Sequence, residues 1–500
     1  MLQALKVSAP VLRWLERWGE SGALRATKGA AVKTLAEMPG PSALGFAWDL
    51  FARGGLSRLH ELQAEGLSRY GPVWKASFGP ILTVHVAEPA LIEEVLRQEG
   101  QHPIRSDLSS WKDYRQQRGH SYGLLTSEGE EWQRVRSLLG KQMLCPRAVG
   151  ALGEGLNAVV TDLLTRLQLR RRRHPAGLVT DVTQEFYRYG LEGVSSVLFE
   201  TRLGCLAEQL PPETERFVAS LGSMFSLTLL TMAMPHWLHR LLPQPWQRFC
   251  ASWDYMFQFA QGHIDKRLSE EAERVARGEG RGGQYLASFL SQQGLSMKDV
   301  YGNVTELLLA GVDTISSSLS WSLYELSRAP ELQSLVREEV EAVMGGRAVP
   351  ESTDIAQMPL LKAVVKEVLR LYPVIPANAR VIADRDITVG GYLIPKKTLI
   401  TLCHYATSRD PRFFPEPDQF CPQRWLDRTH SPNPFATLPF GVGKRSCIGR
   451  RIALLELHLA LARILTHFEV RPDPAGGEVR PMTRTLLVPA SPINLQLNER

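Results

Sequence analysis

Apolar and polar positions along the chain change their period several times, and each change predicts an element. Residues 73–86, VWKASFGPILTVHV, alternate about Gly79-Pro80, a period of two that predicts a hairpin. Glu88-Pro89 opens an apolar face that runs to Arg97, with Pro at the first helical position. Residues 101–123 are polar and aperiodic, with Trp111 and Tyr114 among charges, and read as a long functional loop. From 128 to 345 the period is helical. It is broken at Arg170–Pro175, whose four-arginine run reads as solvated surface, and at the glycine-rich 277–283. Strand patterns return at Ile387–Val389, at Leu399–Leu402 and near the C-terminus. The pattern predicts one large, mostly α domain over 37–500 with small β-sheets attached.

The first 36 residues differ in kind. Lys6, Arg13, Arg17, Arg25, Lys28 and Lys33 stand against only Glu16 and Glu20, with Leu2, Leu5, Val11, Leu12 and Trp14 between. A basic amphipathic start reads as a mitochondrial transit segment, with a surface helix as the alternative. Elsewhere no run of 18 uninterrupted apolar residues predicts a membrane span. The segment Ser226–Trp246, with Trp237 and Trp246, could dip into a membrane face or pack in the core.

Charge alters this picture little. The excess of 58 basic over 52 acidic residues argues against a nucleic-acid coat and allows an acidic partner or an anionic surface. Cys145, Cys205, Cys250, Cys403, Cys421 and Cys447 lie far apart, as reduced thiols rather than a disulfide framework or zinc site.

The chemistry concentrates in Phe440-Gly441-Val442-Gly443-Lys444-Arg445-Ser446-Cys447-Ile448-Gly449. Its glycines permit a tight loop and close approach to a flat ligand. A cysteine there, just before a helical pattern, faces the positive end of the macrodipole, which lowers a thiol pKa. Such a cysteine is a metal or haem ligand, a nucleophile, or a packed thiol. A dinucleotide loop would need Gly at Ser446, and a phosphate loop Ser or Thr at Arg445.

Other segments offer partners. Leu307–Thr314 lies inside a helical pattern running to about Arg328. Ala310 and Gly311 would let a flat ligand or small molecule lie against the backbone, while Asp313 and Thr314 could deliver protons. The alternative is a surface ion pair and a threonine bonded to its own helix. Glu367 and Arg370 share a helix face, and Arg424 could complete a buried ion network that locks the fold. Trp132 and Arg136 lie four apart on one helix, Arg380 follows a Pro-rich turn, and Arg445 is in the loop itself. Converging arginines suit a ligand with two carboxylates, as haem has in its propionates.

In this order, the cysteine loop, Ala310–Thr314, Glu367–Arg370 and Phe420–Trp425 resemble the cytochrome P-450 monooxygenases from about Met38 to the C-terminus. GGLSRLHELQ at 54–63, EGEEWQR at 128–134, GNVTELLLAGVDT at 302–314 and TLCHYATSRDP at 401–411 are similar to its mitochondrial vitamin D hydroxylases.

The resemblance implies a haem b (iron protoporphyrin IX) between two long helices, with Cys447 as axial thiolate. Trp132, Arg136, Arg380 and Arg445 would hold the propionates, and Phe440, Gly441 and Gly449 would shape the loop against the ring. It further implies that Asp313 and Thr314 serve oxygen activation. Trp111, Met232, Leu309, Ala310, Val374 and Ala377 would line the pocket of a lipophilic secosteroid. Lys362, Lys366, Arg450 and Arg451 match the positions where mitochondrial members dock a [2Fe-2S] ferredoxin, itself supplied by an NADPH-dependent reductase. Peripheral contact with the matrix side of the inner mitochondrial membrane is implied in the same way.

Overall fold

The computed structural model of the protein describes residues 32–500 other than 79–80, 235, 279–285, 428 and 430–431. The leader expected over 1–36 therefore lies almost wholly outside the described residues, as do the Gly79-Pro80 turn and most of the 277–283 link. At the expected end of the leader, Lys33 already pairs with the body. Its N–H donates to Gly391 O (3.0 Å), and its carbonyl accepts from Leu393 N (2.8 Å).

The described helices are α1 (Ala43–Phe51), α2 (Leu59–Tyr70), α3 (Pro89–Arg97), α4 (Ser109–Arg118), α5 (Gly129–Met143), α6 (Pro146–Ala151), α7 (Gly153–Arg172), α8 (Val182–Leu198) and α9 (Pro212–Ala233). They continue with α10 (His236–Leu241), α11 (Pro243–Ala276), α12 (Leu286–Gln292), α13 (Met297–Ser327), α14 (Pro330–Met344), α15 (Pro359–Leu371), α16 (His404–Thr407) and α17 (Arg450–His467). A four-stranded sheet has the order β1 (Val73–Phe78), β2 (Ile81–Val86), β7 (Leu399–Leu402), β4 (Asn378–Val381), with only β2 and β7 parallel. Smaller sheets join β3 (Leu178–Val179) and β8 (Phe468–Pro472) to β11 (Leu495–Glu499), β5 (Ile387–Val389) to β6 (Tyr392–Ile394), and β9 (Pro481–Arg484) to β10 (Leu486–Pro489).

Everything packs around α13. Ser296 caps it reciprocally: its hydroxyl accepts from Asp299 N (3.2 Å) and its N–H donates to Asp299 Oδ2 (3.1 Å). The helix is buried on nearly all sides, as expected for a core helix surrounded by α8, α11, α14, α15 and α17. Ser318 and Ser322 survive burial by bonding back one turn, Ser318 to Thr314 O and Ser322 to Ser318 O, each at 2.7 Å. The crossing with α8 is close because it is built on glycine. A Cβ at Gly311 would sit 2.6 Å from Val194, and one at Gly190 2.9 Å from Val312 O. Gly311 thus serves helix packing, which corrects its reading as a residue cleared for a ligand.

Three further expectations change. The aperiodic 101–123 contains α4, whose Ser110, Trp111, Tyr114 and Arg115 are buried. The arginine run is only partly solvated: Arg170 bridges buried Glu185 (3.2 Å), and Arg171 holds Glu499 (2.9 Å) and Leu497 O (2.7 Å). Finally, α9 is long and apolar enough to cross a membrane, with mean hydropathy 1.3 and a third of its best window buried. A search for unbroken apolar runs passes over it because serines and threonines interrupt it.

Glu367 and Arg370 on α15 are fully buried. Glu367 accepts from Arg370 Nη2 (2.7 Å) and Nε (3.0 Å), Arg424 Nε (3.0 Å), Cys421 N (3.1 Å) and Trp425 Nε1 (2.7 Å). Arg370 also caps the carbonyls of Ser408, Pro417 and Gln419. One carboxylate therefore ties α15 to the segment leading to the cysteine loop. Glu367→Gln leaves the buried Arg370 guanidinium and the half-buried Arg424 guanidinium without their counter-charge and should cost about 3–5 kcal/mol, read by denaturant unfolding; a loss under about 1 kcal/mol would mean that the network is not a lock.

Candidate functional site

The loop before α17 is folded by two left-handed glycines, Gly441 (φ 64°) and Gly443 (φ 79°). A Cβ at Gly443 would lie 2.5 Å from Glu99 Oε1, so this position also requires the space. Hydrogen bonds from Cys447 N to Phe440 O (2.8 Å) and from Ser446 N to Gly443 O (3.1 Å) close the turn. The sequence expectation was a lowered thiol pKa at Cys447. Burial instead pushes this thiol up, against the Gly449 N–H and the charges of Arg105, Arg136 and Arg450. Cys447 lies three residues ahead of α17, too deep for a helix end alone to outweigh desolvation.

Four arginines gather beside this loop, each within electrostatic range of others in the set. Arg445 is buried, with Nε donating to Pro103 O (2.7 Å), Nη1 to Leu124 O (3.3 Å) and Nη2 to Ser127 O (2.9 Å). Its guanidinium lies 3.9 Å from the centre of the Trp132 ring. Arg105, absent from the sequence expectations, donates to Arg445 O. Arg380 on β4 pairs with Glu99 (2.7 Å). Arg136 on α5 makes no hydrogen bond or ion pair among the described residues. Burial, then repulsion from Arg380 and Arg136, lowers Arg105 to about 10. Burial, then Arg105, lowers Arg445 to about 9.

Such a cluster is short of negative charge. Arg380 and Arg445 are buried and Arg105 and Arg136 half-buried, and cations withdrawn from water are stable only when paired, so this site calls for an anion reaching Arg136 and Arg105. The same two arginines are within electrostatic range of the Cys447 sulfur. The donor set therefore suits one group with a thiophilic metal at one point and carboxylates at its edge.

On α13, Asp313 is almost fully buried, and its Oδ1 accepts from Tyr187 OH (2.7 Å) and Arg484 Nη2 (3.0 Å). Its Oδ2 has no hydrogen-bond partner among the described residues. Burial raises this carboxyl while Arg484 and Tyr187 pull it down. Thr314 donates back to Ala310 O (2.8 Å). Two turns upstream, Glu306 accepts from Arg115 Nη2 (2.7 Å), Thr126 Oγ1 (2.7 Å) and Leu125 N (2.6 Å), fastening α4 and its following loop to α13.

Of the expected pocket residues, Trp111, Leu309, Ala310 and Val374 join one apolar cluster. Trp111 Nε1 donates to Thr228 on α9 (3.1 Å). Met232 and Ala377 are half-buried and outside that cluster. Lys362, Lys366 and Arg450 share one surface, since Lys366 is lowered by burial, then by Lys362 and Arg450. Arg451 is exposed beside them in sequence and lies within range of Cys145.

Comparison with known proteins then decides the family. Residues 38–497 match the cytochrome P450 family. The chain belongs to that family.

This P450 is also similar at full length to curated relatives. It is 55% identical to the Homo sapiens "25-hydroxyvitamin D-1 alpha hydroxylase, mitochondrial", with 100% of each chain covered. It is 44% identical to cytochrome P450 27C1 of Danio rerio, over 95% of this chain and 88% of that one. Identity to the Rattus norvegicus "Sterol 26-hydroxylase, mitochondrial" is 42%, over 94% and 90%. The protein is a P450 monooxygenase, and the family implies haem iron. The residues fit that group: the arginine edge, short of anions, would take carboxylates, and Cys447 would take iron, whose charge would reverse the upward push on its thiol.

Arg136→Ala removes the least satisfied cation at this edge. It should weaken haem retention by about tenfold or more, measured as transfer of haem to a scavenging apoprotein. An unchanged transfer rate would remove Arg136 from the site.

Proposed function

We propose that this P450 is a mitochondrial enzyme that hydroxylates 25-hydroxyvitamin D at C1α. It would use molecular oxygen and electrons from a [2Fe-2S] ferredoxin charged by an NADPH-dependent reductase. The observation that carries the reading is the identity of 52–55% over full length to three mitochondrial 1α-hydroxylases. Side-chain oxidation of a sterol is the second reading, favoured by 40–42% identity to sterol 26-hydroxylases.

In this account the Cys447 thiolate would hold the iron of a haem b. Bound haem supplies oxygen binding and activation. Arg136, Arg105, Arg380 and Arg445 hold the carboxylate edge, with Trp132 beneath Arg445, and Phe440, Gly441 and Gly449 fix the loop against the ring. Asp313 and Thr314 hold and move protons toward the oxygen site. Trp111, Met232, Leu309, Ala310, Val374 and Ala377 exclude water and orient the secosteroid. The basic surface of Lys362, Lys366, Arg450 and Arg451 lies beside the cysteine loop and steers an acidic ferredoxin to it. Exposed Trp237, Leu241 and Leu242, with Leu44, Trp48 and Phe51 on α1, suit peripheral contact with the matrix side of the inner membrane. The basic leader fits import to that compartment.

Product identification tests the reading. Purified holoenzyme with ferredoxin, reductase, NADPH and 25-hydroxyvitamin D should place the new hydroxyl on the A-ring, at a rate that falls with added salt. Oxidation confined to the side chain would favour the sterol reading instead.

A further inference from the structure

The hydrogen bonds that hold Asp313 do not end in the core. Tyr187, which donates to Asp313 Oδ1, and Arg484, which donates to both Tyr187 OH (2.9 Å) and Asp313 Oδ1, both line a cavity of about 660 Å³. Its other walls include Arg188 on α8 and Gly222, Ser223 and Ser226 on α9. Ser226 is exposed, as is Arg248 at the same cavity, so the space meets solvent. Asp313 itself is 1% exposed. Asp313 is not part of the cavity wall, and these two side chains link it to that wall.

The arrangement is held in place by a strained corner. Arg484 ends β9, and the next residue, Thr485, is a non-glycine at φ 62° whose Oγ1 donates to Phe225 O on α9 (2.8 Å). That conformation is costly and persists where surrounding contacts over-determine it. Here it inserts the Arg484 guanidinium between α8 and α9.

We infer that Tyr187 and Arg484 form a proton inlet, carrying protons from cavity water to Asp313. The inference rests on the reading of Asp313 as a proton donor to the oxygen site. The Tyr187 hydroxyl gives its hydrogen to Asp313 Oδ1 and receives one from a cavity water through its remaining lone pair, so it ends neutral as it began. Asp313 releases a proton from its unpartnered Oδ2, and the carboxyl returns to its starting charge. Arg484 transfers nothing. It is a positioning residue that holds the phenol and carboxylate in line and keeps compensating charge beside the buried acid.

Tyr187→Phe keeps the ring and removes the relay. The variant should retain the ferrous carbon-monoxide spectrum of the parent while the fraction of NADPH electrons lost to hydrogen peroxide rises several-fold. A second readout needs no turnover. In the ferric enzyme at acidic pH, the infrared acid band of Asp313, taken as the difference from Asp313→Asn, should exchange in D2O several-fold more slowly in Tyr187→Phe. Ser223→Trp, which fills the cavity without touching Tyr187, should slow exchange likewise and provides the test should Tyr187→Phe lose haem. Normal exchange and coupling in these variants while Asp313→Asn uncouples would overturn the inlet and leave the role of Asp313 standing. Full coupling in Asp313→Asn would overturn both.

Discussion

The structure depends on concentrating positive charge where water is scarce. Arg105, Arg136, Arg380 and Arg445 come from four separate segments and lie within electrostatic range of one another beside the Cys447 loop, with Glu99 the one carboxylate in direct contact with them among the described residues. Desolvation and mutual repulsion both act against this cluster, and backbone carbonyls relieve only part of the cost. A bound dianion with a metal at its centre would relieve the rest. Cofactor binding and the folding of this region are therefore one equilibrium, because a ligand that binds only the folded chain stabilises it.

Around that centre the fold assigns separate tasks to separate elements. The Glu367 network fixes the approach to the cysteine loop and needs no ligand, since every donor facing its carboxylate is a protein group. Helix α13 does the opposite. It keeps Asp313 Oδ2 without a partner in the core, and leaves Ala310 only half-buried beside the apolar cluster. The first arrangement is rigid and complete, as a lock should be. The second retains an unmet hydrogen-bonding group, the kind of cost that a site carries and a lock avoids.

How much was legible in the sequence follows from the range of each interaction. Glycines in a tight turn, a cap at Ser296 and an i, i+3 pair at Glu367 and Arg370 are local, so spacing alone finds them. Helix α4 escaped because its burial is polar. Arg115 is fully buried against Glu306, 191 residues away, and stacks over Trp253 at 4.3 Å, so no apolar stripe marks the helix. Arg105 and Arg484 were missed for the same reason, as their partners are distant in the chain and arginine carries no periodic signal. The helix-start position of Cys447 is visible in the sequence and its depth of burial, which opposes the helix end until the charge of iron is added, is not.

The most direct test of the cationic, thiol-centred site is the absorption spectrum of the purified ferrous carbon-monoxide complex. The account predicts the strongly red-shifted Soret band of thiolate ligation, lost in Cys447→Ala. The same band persisting in Cys447→Ala, or a colourless parent protein after haem supplementation, would contradict it.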